Sequence, residues 1–237
     1  MKRSNDLISF LLNEIKSPSC YMCFSQSGSL IVGLTGICFS LFLLQGSNKK
    51  RIYAAIGITY FSLMEILQFF QYQVIDDCTA YNERLTLLGY LHICFQPFFV
   101  NVWLFAFAQN PPFLFLTLSL VAGVLLASRV LFVSDDELCN KQEPLCGPIT
   151  CSFSGERHIA WSVRLRAPGK YWFTPSIGLH FFMWVTPALV LFQIKPLLAL
   201  LLTGPYVGFL SQNIHEQPAI WCYTAIGQMI VTYLLLK

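Results

Sequence analysis

Apolar residues along the chain fall into long blocks that are separated by shorter polar segments. A block of about 20 apolar residues is long enough to cross a hydrocarbon core of about 30 Å as a helix. Seven such blocks predict transmembrane helices near residues 28–45, 52–75, 85–108, 112–133, 175–194, 196–213 and 217–236. The first block is barely long enough, so the alternative is six helices with this block on the membrane surface. The pattern therefore predicts an all-α fold, a polytopic integral membrane bundle of seven transmembrane helices.

The composition agrees with this pattern. Hydrophobic residues make up 55% of the chain and charged residues only 11%, against roughly 25% charged residues in an ordinary soluble domain. So little polar surface cannot cover a water-soluble interior, which excludes a soluble globule and a disordered chain. The net charge is +3 and no dense basic stripe occurs, so nucleic acid is not an expected partner. The expected partner is the lipid bilayer.

Two segments lie outside the predicted transmembrane helices. Within residues 1–27, apolar residues between positions 7 and 15 share one helical face, which predicts a short interfacial helix rather than a cleaved signal peptide. Residues 134–174 are polar, contain Pro, Gly and Cys, and are long enough to form a cap on one membrane face. The predicted domains are thus an N-terminal interfacial segment, 1–27, and a transmembrane domain, 28–236, that carries this cap loop.

Seven crossings define two faces of the bundle. Face A carries the N-terminus, the loops 76–84 and 134–174 and the sixth connection, and face B carries the remaining connections and residue 237. Six of the nine cysteines fall on face A: Cys20, Cys23, Cys78, Cys139, Cys146 and Cys151. We predict disulfides among them, which would place face A on the extracellular or lumenal side. Free thiols, or a thiolate metal site on a cytoplasmic face, are the alternative, because basic residues occur on both faces and leave the orientation open.

Polar and ionisable side chains also occur inside the predicted spans, where they normally point into the protein or a wet cavity. They are Glu65, Gln68 and Tyr72 on one face of the second span, His92 and Gln96 in the third, Arg129 in the fourth, His180 in the fifth, and Asn213, His215 and Glu216 before the seventh. Counted from the predicted span ends, Gln68 and His92 are both about 10 Å from face A. We therefore predict a polar vestibule that opens to face A.

In this vestibule Glu65, Gln68, His92, Gln96 and His180 are expected to approach one another around a cavity, with His215 and Glu216 at its mouth. Three functions stay open at this point. The first is a network of interhelical hydrogen bonds that only holds the bundle together. The second and third are a metal-dependent hydrolase and a transporter or receptor, and whether the protein is an enzyme is not decided by the pattern.

In the hydrolase interpretation, His92, His180 and His215 hold a zinc-like ion, and Glu65 or Glu216 is the catalytic carboxylate that helps to hydrolyse a lipid amide or ester. In the transporter or receptor interpretation, Glu65 is the buried carboxylate of a proton or substrate path and Arg129 is its counter-charge. In both, the residues expected to contact a small-molecule or lipid ligand are Gln68, Tyr72, Gln96, Arg129 and Asn213.

The segments SLMEILQ, LHICFQPFFVN, LHFFMWVTPAL and EQPAIWC together resemble an uncharacterised family of small multi-span membrane proteins. That family combines a Glu-containing second span with a His–Phe–Gln–Pro third span and a late Glu…Trp-Cys motif. The resemblance runs from about Ile52 to Cys222. It implies that the vestibule is the functional centre of the family, and it brings no reaction with it.

A more distant similarity connects Ser62, Glu65, His92 and His180 with seven-helix hydrolases of the alkaline ceramidase and adiponectin-receptor type. It would imply metal-dependent hydrolysis inside the bundle. The chain departs from that pattern because His215 is followed directly by Glu216, where such enzymes place two histidines one turn apart on the last span.

Overall fold

The computed structural model describes residues 25–237 except positions 47, 110–111, 157, 192, 205–206, 209–210 and 221–223. The predicted interfacial helix, Cys20 and Cys23 therefore lie outside the described residues. The elements are α1 (Gln26–Leu44), α2 (Lys49–Tyr72), α3 (Ala80–Phe105), α4 (Leu114–Ala127), β1 (Cys151–Ser154), β2 (Ile159–Ser162), α5 (Gly178–Leu191), α6 (Ile194–Thr203), α7 (Gln217–Ile220) and α8 (Ala225–Leu236). Short 3₁₀ turns cover Ser128–Val130 and Asp135–Glu137.

Four stretches are long and apolar enough to cross a membrane, namely α1, α2, α3 and Gln217–Leu236. The remaining apolar helices are shorter, and α6 has only 10 residues. The prediction of a mostly helical chain with membrane-length helices is confirmed. The finer count of seven spans stays a prediction.

Polar caps determine where the first three helices begin. The side chains of Ser25, Asn48 and Thr79 accept hydrogen bonds from backbone amides in the first turns of α1, α2 and α3, which satisfies groups that a helix start otherwise leaves unpaired. Helix α3 begins at Ala80, five residues before the predicted span. Hydropathy misses this extension because the first turn is polar yet helical.

Helices α1 and α2 pack closely through small residues. A Cβ at Gly33 would lie 2.8 Å from Ile66 Cγ1 and 3.3 Å from Glu65 Cβ, and a Cβ at Gly36 would overlap the hydroxyl of Ser62. Only glycine therefore fits at this contact without displacing a neighbour. Close backbone approach through small residues is typical of helix packing in membranes.

The buried apolar residues form two clusters. One cluster lies around Trp103 and Leu104 and joins α3 to α1, α2, α5, α6 and α8. The other lies around Tyr90, Leu126 and Trp161, nearer to face A. Large apolar side chains also cover the outer faces of the helices, and Ile31 is 65% exposed. Soluble monomers rarely expose apolar surface of this extent.

Residues 131–177, which include the predicted cap loop, are called the cap below. Strands β1 and β2 pair antiparallel, with Cys151 opposite Ser162 and Ser154 opposite Ile159. Disulfides join Cys78 to Cys151 and Cys139 to Cys146. The prediction of disulfides on face A is therefore confirmed for these four cysteines, and the first of the two bonds connects the cap to the loop between α2 and α3.

Candidate functional site

The cap is attached to the bundle by two buried amides. The Asn82 side chain donates to the carbonyls of Val74 and Ser152 and accepts the amide N–H of Ser152 at 2.8 Å. Gln71 donates to the Leu85 carbonyl at 2.8 Å and accepts the indole N–H of Trp161 at 3.2 Å. These bonds hold β1 and β2 over the ends of α2 and α3. Buried amides with several partners are costly to replace, because any group left unpaired is desolvated without compensation.

Glu65 and Gln68 lie in the interior of α2. Their exposures are 1% and 0%, and Glu65 is seven residues from the end of α2 at Tyr72, or about 10 Å along the helix axis. Gly33 of α1 approaches the Cβ of Glu65. The carboxylate is thus part of the protein interior, as predicted.

His92 of α3 forms a two-way contact with Tyr60 of α2. The Tyr60 hydroxyl donates to the His92 carbonyl at 2.6 Å, and His92 Nε2 lies 2.8 Å from the Tyr60 carbonyl. The Tyr60 ring also stacks on His92 and on Phe99, with centroids 3.9 and 3.7 Å apart. Because a carbonyl only accepts, His92 Nε2 carries the proton. His92 Nδ1, which has no hydrogen-bond partner among the described residues, is then an acceptor.

This contact corrects the predicted depth of His92. Tyr60 and Gln68 are eight residues apart in α2, or about 12 Å. His92, which contacts Tyr60, therefore lies much farther from face A than Gln68 and not at the same depth. The error follows from the polar start of α3, which places His92 twelve residues into the helix. Gln96, one turn further along α3, is buried.

His180 of α5 reaches the same region of α3. It hydrogen-bonds the backbone of Ile93, the residue after His92, and its Nε2 has no partner within the described chain. The structure therefore brings His92 and His180 to adjacent levels of the bundle. Each offers one unused ring nitrogen.

His215 and Glu216 lie at the face A end, under the hairpin. The His215 carbonyl accepts the Trp161 amide, and the His215 ring lies 6.1 Å from that of Phe153. Glu216 is fully buried and accepts the Ser211 hydroxyl at 2.9 Å. A Cβ at Gly155, in the hairpin turn, would lie 3.0 Å from the Glu216 carboxyl carbon. These residues form a cap-to-bundle contact.

Two further predicted ligand contacts have local partners on face A. The Asn213 side chain accepts the backbone amide of His215 and so shapes the turn before α7. The Tyr72 ring lies 6.2 Å from the ring of His158 in the cap.

Arg129 does not pair with Glu65, so its predicted role as the counter-charge of that residue is wrong. Its guanidinium donates to both carboxylate oxygens of Glu143, at 2.6 and 2.8 Å, and twice to the Arg166 carbonyl. Arg129 is fully buried. The residue therefore connects the end of α4 to the cap.

The predicted three-histidine zinc site is not assembled. Across the described ranges, no group of three or more His, Cys, Asp or Glu side chains is placed to hold a metal ion. His92 contacts Tyr60 inside the bundle, whereas His215 contacts the cap. The residues present do not fit a zinc ion, and no chemical step is derived through one.

Sequence reasoning missed Tyr60, Gln71, Asn82, Glu143 and His158. The sequence could have indicated Gln71 and Asn82, because each is a polar residue near the face A end of a helix. Glu143 and His158 lie in a loop whose pattern has no periodicity, so nothing in the sequence identified their partners.

Acidification is expected to weaken the cap through His158. Burial lowers the pKa of His158 to about 4, and its Nδ1 accepts the Ile159 amide at 2.8 Å, a bond that requires an unprotonated Nδ1. The unfolded chain binds this proton below about pH 6.5, so stability is lost as the pH falls from there towards 4, by up to about 3 kcal/mol. Thermal unfolding in detergent at pH 7.5 and pH 4.5 measures this loss.

The control for that measurement is His158→Phe, which cannot titrate. Its unfolding midpoint should fall less between the two pH values than that of the unsubstituted protein. Burial also lowers the pKa of His215, so part of the loss should persist. Equal falls in the two proteins would contradict the role of His158.

The family of unknown function DUF5765 matches residues 27–236, and the chain belongs to this family. The resemblance to an uncharacterised family is thereby confirmed. No curated protein and no solved structure matches the chain.

Proposed function

We propose that this protein is an integral membrane protein of seven transmembrane helices that binds a small molecule, lipid or ion in its polar interior, beneath a disulfide-linked cap. The observation that carries this proposal is the burial of Glu65. This residue is 1% exposed and lies about two turns from the end of a membrane-length helix. A carboxyl group at such a position is costly unless it is protonated or held by a partner. Ionisable residues inside spans are therefore mostly functional.

Two histidines in the interior of the bundle also support a polar guest. His92 and His180 each offer one ring nitrogen, and among the described residues neither nitrogen has a hydrogen-bond partner. In a neutral imidazole one nitrogen donates and the other accepts, so His92 Nδ1 offers an acceptor. Glu65 can hold or release a proton. This arrangement suits a proton-coupled transporter or receptor better than a hydrolase, because the histidines do not form a metal-binding group.

The two disulfides, and not the charges, support an orientation with face A outside the cytosol. On face A, Arg129, Arg164 and Arg166 pair with acidic residues of the cap. On face B, the described basic residues Lys49, Lys50, Arg51, Lys195 and Lys237 face no described acidic residue. The positive-inside rule counts basic residues without subtracting acidic ones and therefore leaves the orientation open, whereas disulfides favour the oxidising side for face A.

The proposal predicts that Glu65 reacts with a hydrophobic fluorescent carbodiimide, which modifies protonated carboxyl groups that it reaches through the bilayer. The protein in lipid nanodiscs should be labelled at Glu65, more strongly at pH 6 than at pH 8. The variant Glu65→Gln should lose at least about nine-tenths of the labelling. Gel fluorescence and peptide mass spectrometry measure the label and its position.

The matched control is Glu83→Gln, because Glu83 is an exposed carboxylate at the start of α3. Its labelling should equal that of the unsubstituted protein. Equal labelling of Glu65→Gln would contradict a reachable carboxyl at this position. Metal analysis distinguishes this proposal from the hydrolase alternative. The hydrolase requires about one zinc per chain, and His92→Ala should lose that zinc.

A further inference from the structure

A recess on face B lies where four helices end or begin. It has a volume of about 130 Å³ and is lined at the start of α2, after the end of α3, at the start of α6 and at the end of α8. A water molecule occupies about 30 Å³ of liquid, so the recess has room for a group the size of a phosphate. It lies at the opposite end of the bundle from the cap.

Four of the residues that line the recess are basic: Lys50, Arg51, Lys195 and Lys237. The described acidic residues lie elsewhere, on face A or, for Glu65, inside α2. Within the described chain, none of the four forms an ion pair. The recess therefore concentrates basic side chains that no described acidic side chain balances.

Neutral partners orient these cations. The ammonium group of Lys195 donates to the Leu235 carbonyl at 2.9 Å. Arg51 lies over the ring of Phe42, and Lys237 lies 4.5 Å from the ring centroid of Tyr233. Carbonyls and ring faces position a cation without removing its charge. The cations are thus held near the recess and remain able to bind an anion.

The start of α2 contributes to the same field. Its amide groups and its helix dipole add positive potential at Lys50 and Arg51. The Asn48 side chain accepts the Lys50 amide, and Asn48 itself lines the recess. The basic side chains add to the positive potential that any helix start has, and they distinguish the start of α2 from other helix starts.

Apolar residues also line part of the recess: Ala106, Phe107, Leu235 and Leu236. A ligand that matches both the basic and the apolar lining carries an anionic group and an apolar portion. We propose that this recess binds the phosphate group of an anionic phospholipid or of a small phosphate ester. Basic pockets between membrane helices recognise anionic headgroups in this way. The lipid source rests on the proposed membrane location, and neither source depends on a ligand at Glu65.

The test compares phosphatidic acid with phosphatidylcholine, measured by native mass spectrometry of the purified full chain. The variant combines Lys50→Gln, Lys195→Gln and Lys237→Gln, all at exposed positions. Each Lys or Arg near an anionic lipid contributes about a fivefold change in binding, so phosphatidic acid should bind the variant about 100-fold more weakly. The matched control removes three exposed cations on face A, with Arg84→Gln, Lys141→Gln and Lys170→Gln, and should bind like the unsubstituted protein.

Competition with glycerol 3-phosphate distinguishes the two sources of phosphate. No competition at millimolar concentration identifies the lipid, and full competition identifies a free phosphate ester. A variant with Lys50→Arg, Lys195→Arg and Lys237→Arg should retain binding and shows that charge is the requirement. Equal binding of phosphatidic acid by the Gln variant and the face A control, or no preference over phosphatidylcholine, would overturn the proposal.

Discussion

Glu143→Gln is expected to destabilise the protein by about 3–5 kcal/mol, because removing one member of a buried ion pair leaves the other charge uncompensated. The side chains of Arg129 and Glu143 are 0% and 11% exposed. The neutral amide preserves the size of the side chain but cannot balance the guanidinium. The fall in unfolding free energy in detergent, or the accompanying earlier proteolysis of the cap, measures the effect.

An exposed pair of the same cap provides the control. Arg164 and Asp135 also form an ion pair at 2.7 Å, with side-chain exposures of 35% and 89%, and Asp135→Asn should cost less than about 1 kcal/mol. The double variant Arg129→Met with Glu143→Leu should recover part of the loss, because it removes both charges. Unchanged stability of Glu143→Gln would show that the buried pair does not hold the cap.

The second large effect is expected for the disulfide between Cys78 and Cys151. The two residues are 73 positions apart, and the chain-entropy relation assigns about 4 kcal/mol to a loop of that length. Cys139 and Cys146 are 7 positions apart, for which the same relation gives about 2.5 kcal/mol. Cys78→Ala with Cys151→Ala should therefore destabilise more than Cys139→Ala with Cys146→Ala.

Both double variants remove two thiols, so each is the control for the other in unfolding measurements. Non-reducing peptide mass spectrometry of native membranes should find both described pairs oxidised. Four free thiols at these positions would contradict the disulfides and remove the main support for placing face A outside the cytosol. An equal loss of stability in the two variants would contradict only the dependence on loop length.

Much of the helical architecture follows from the sequence, because hydropathy is a local property of neighbouring residues. The blocks near 28–45 and 52–75 correspond closely to α1 and α2. The start of α3 was predicted five residues late, since the polar turn after Thr79 continues the helix beyond the apolar block. That local error was enough to misplace His92 relative to Gln68.

The candidate site was predicted in part. The burial of Glu65 and Gln68 follows from the shared face of polar residues in α2, since a polar residue in a membrane helix avoids lipid. The pairing of His92 with Tyr60 does not follow, because it depends on the register of two helices. Whether Glu65, Gln68, Gln96 and both histidines surround one cavity stays a prediction.

The sequence by itself determined that the chain is a helical, apolar protein with carboxylate and imidazole groups inside its helices, because residue spacing and composition carry that information. The partners of the charged residues were decided only by the tertiary structure. The predicted depth of Arg129 would allow it to face Glu65. It instead binds Glu143, 14 positions along the chain, and the Arg166 carbonyl, 37 positions along. The physical reason is that a guanidinium needs several acceptors at fixed angles, and only the folded cap brings them together at the end of α4.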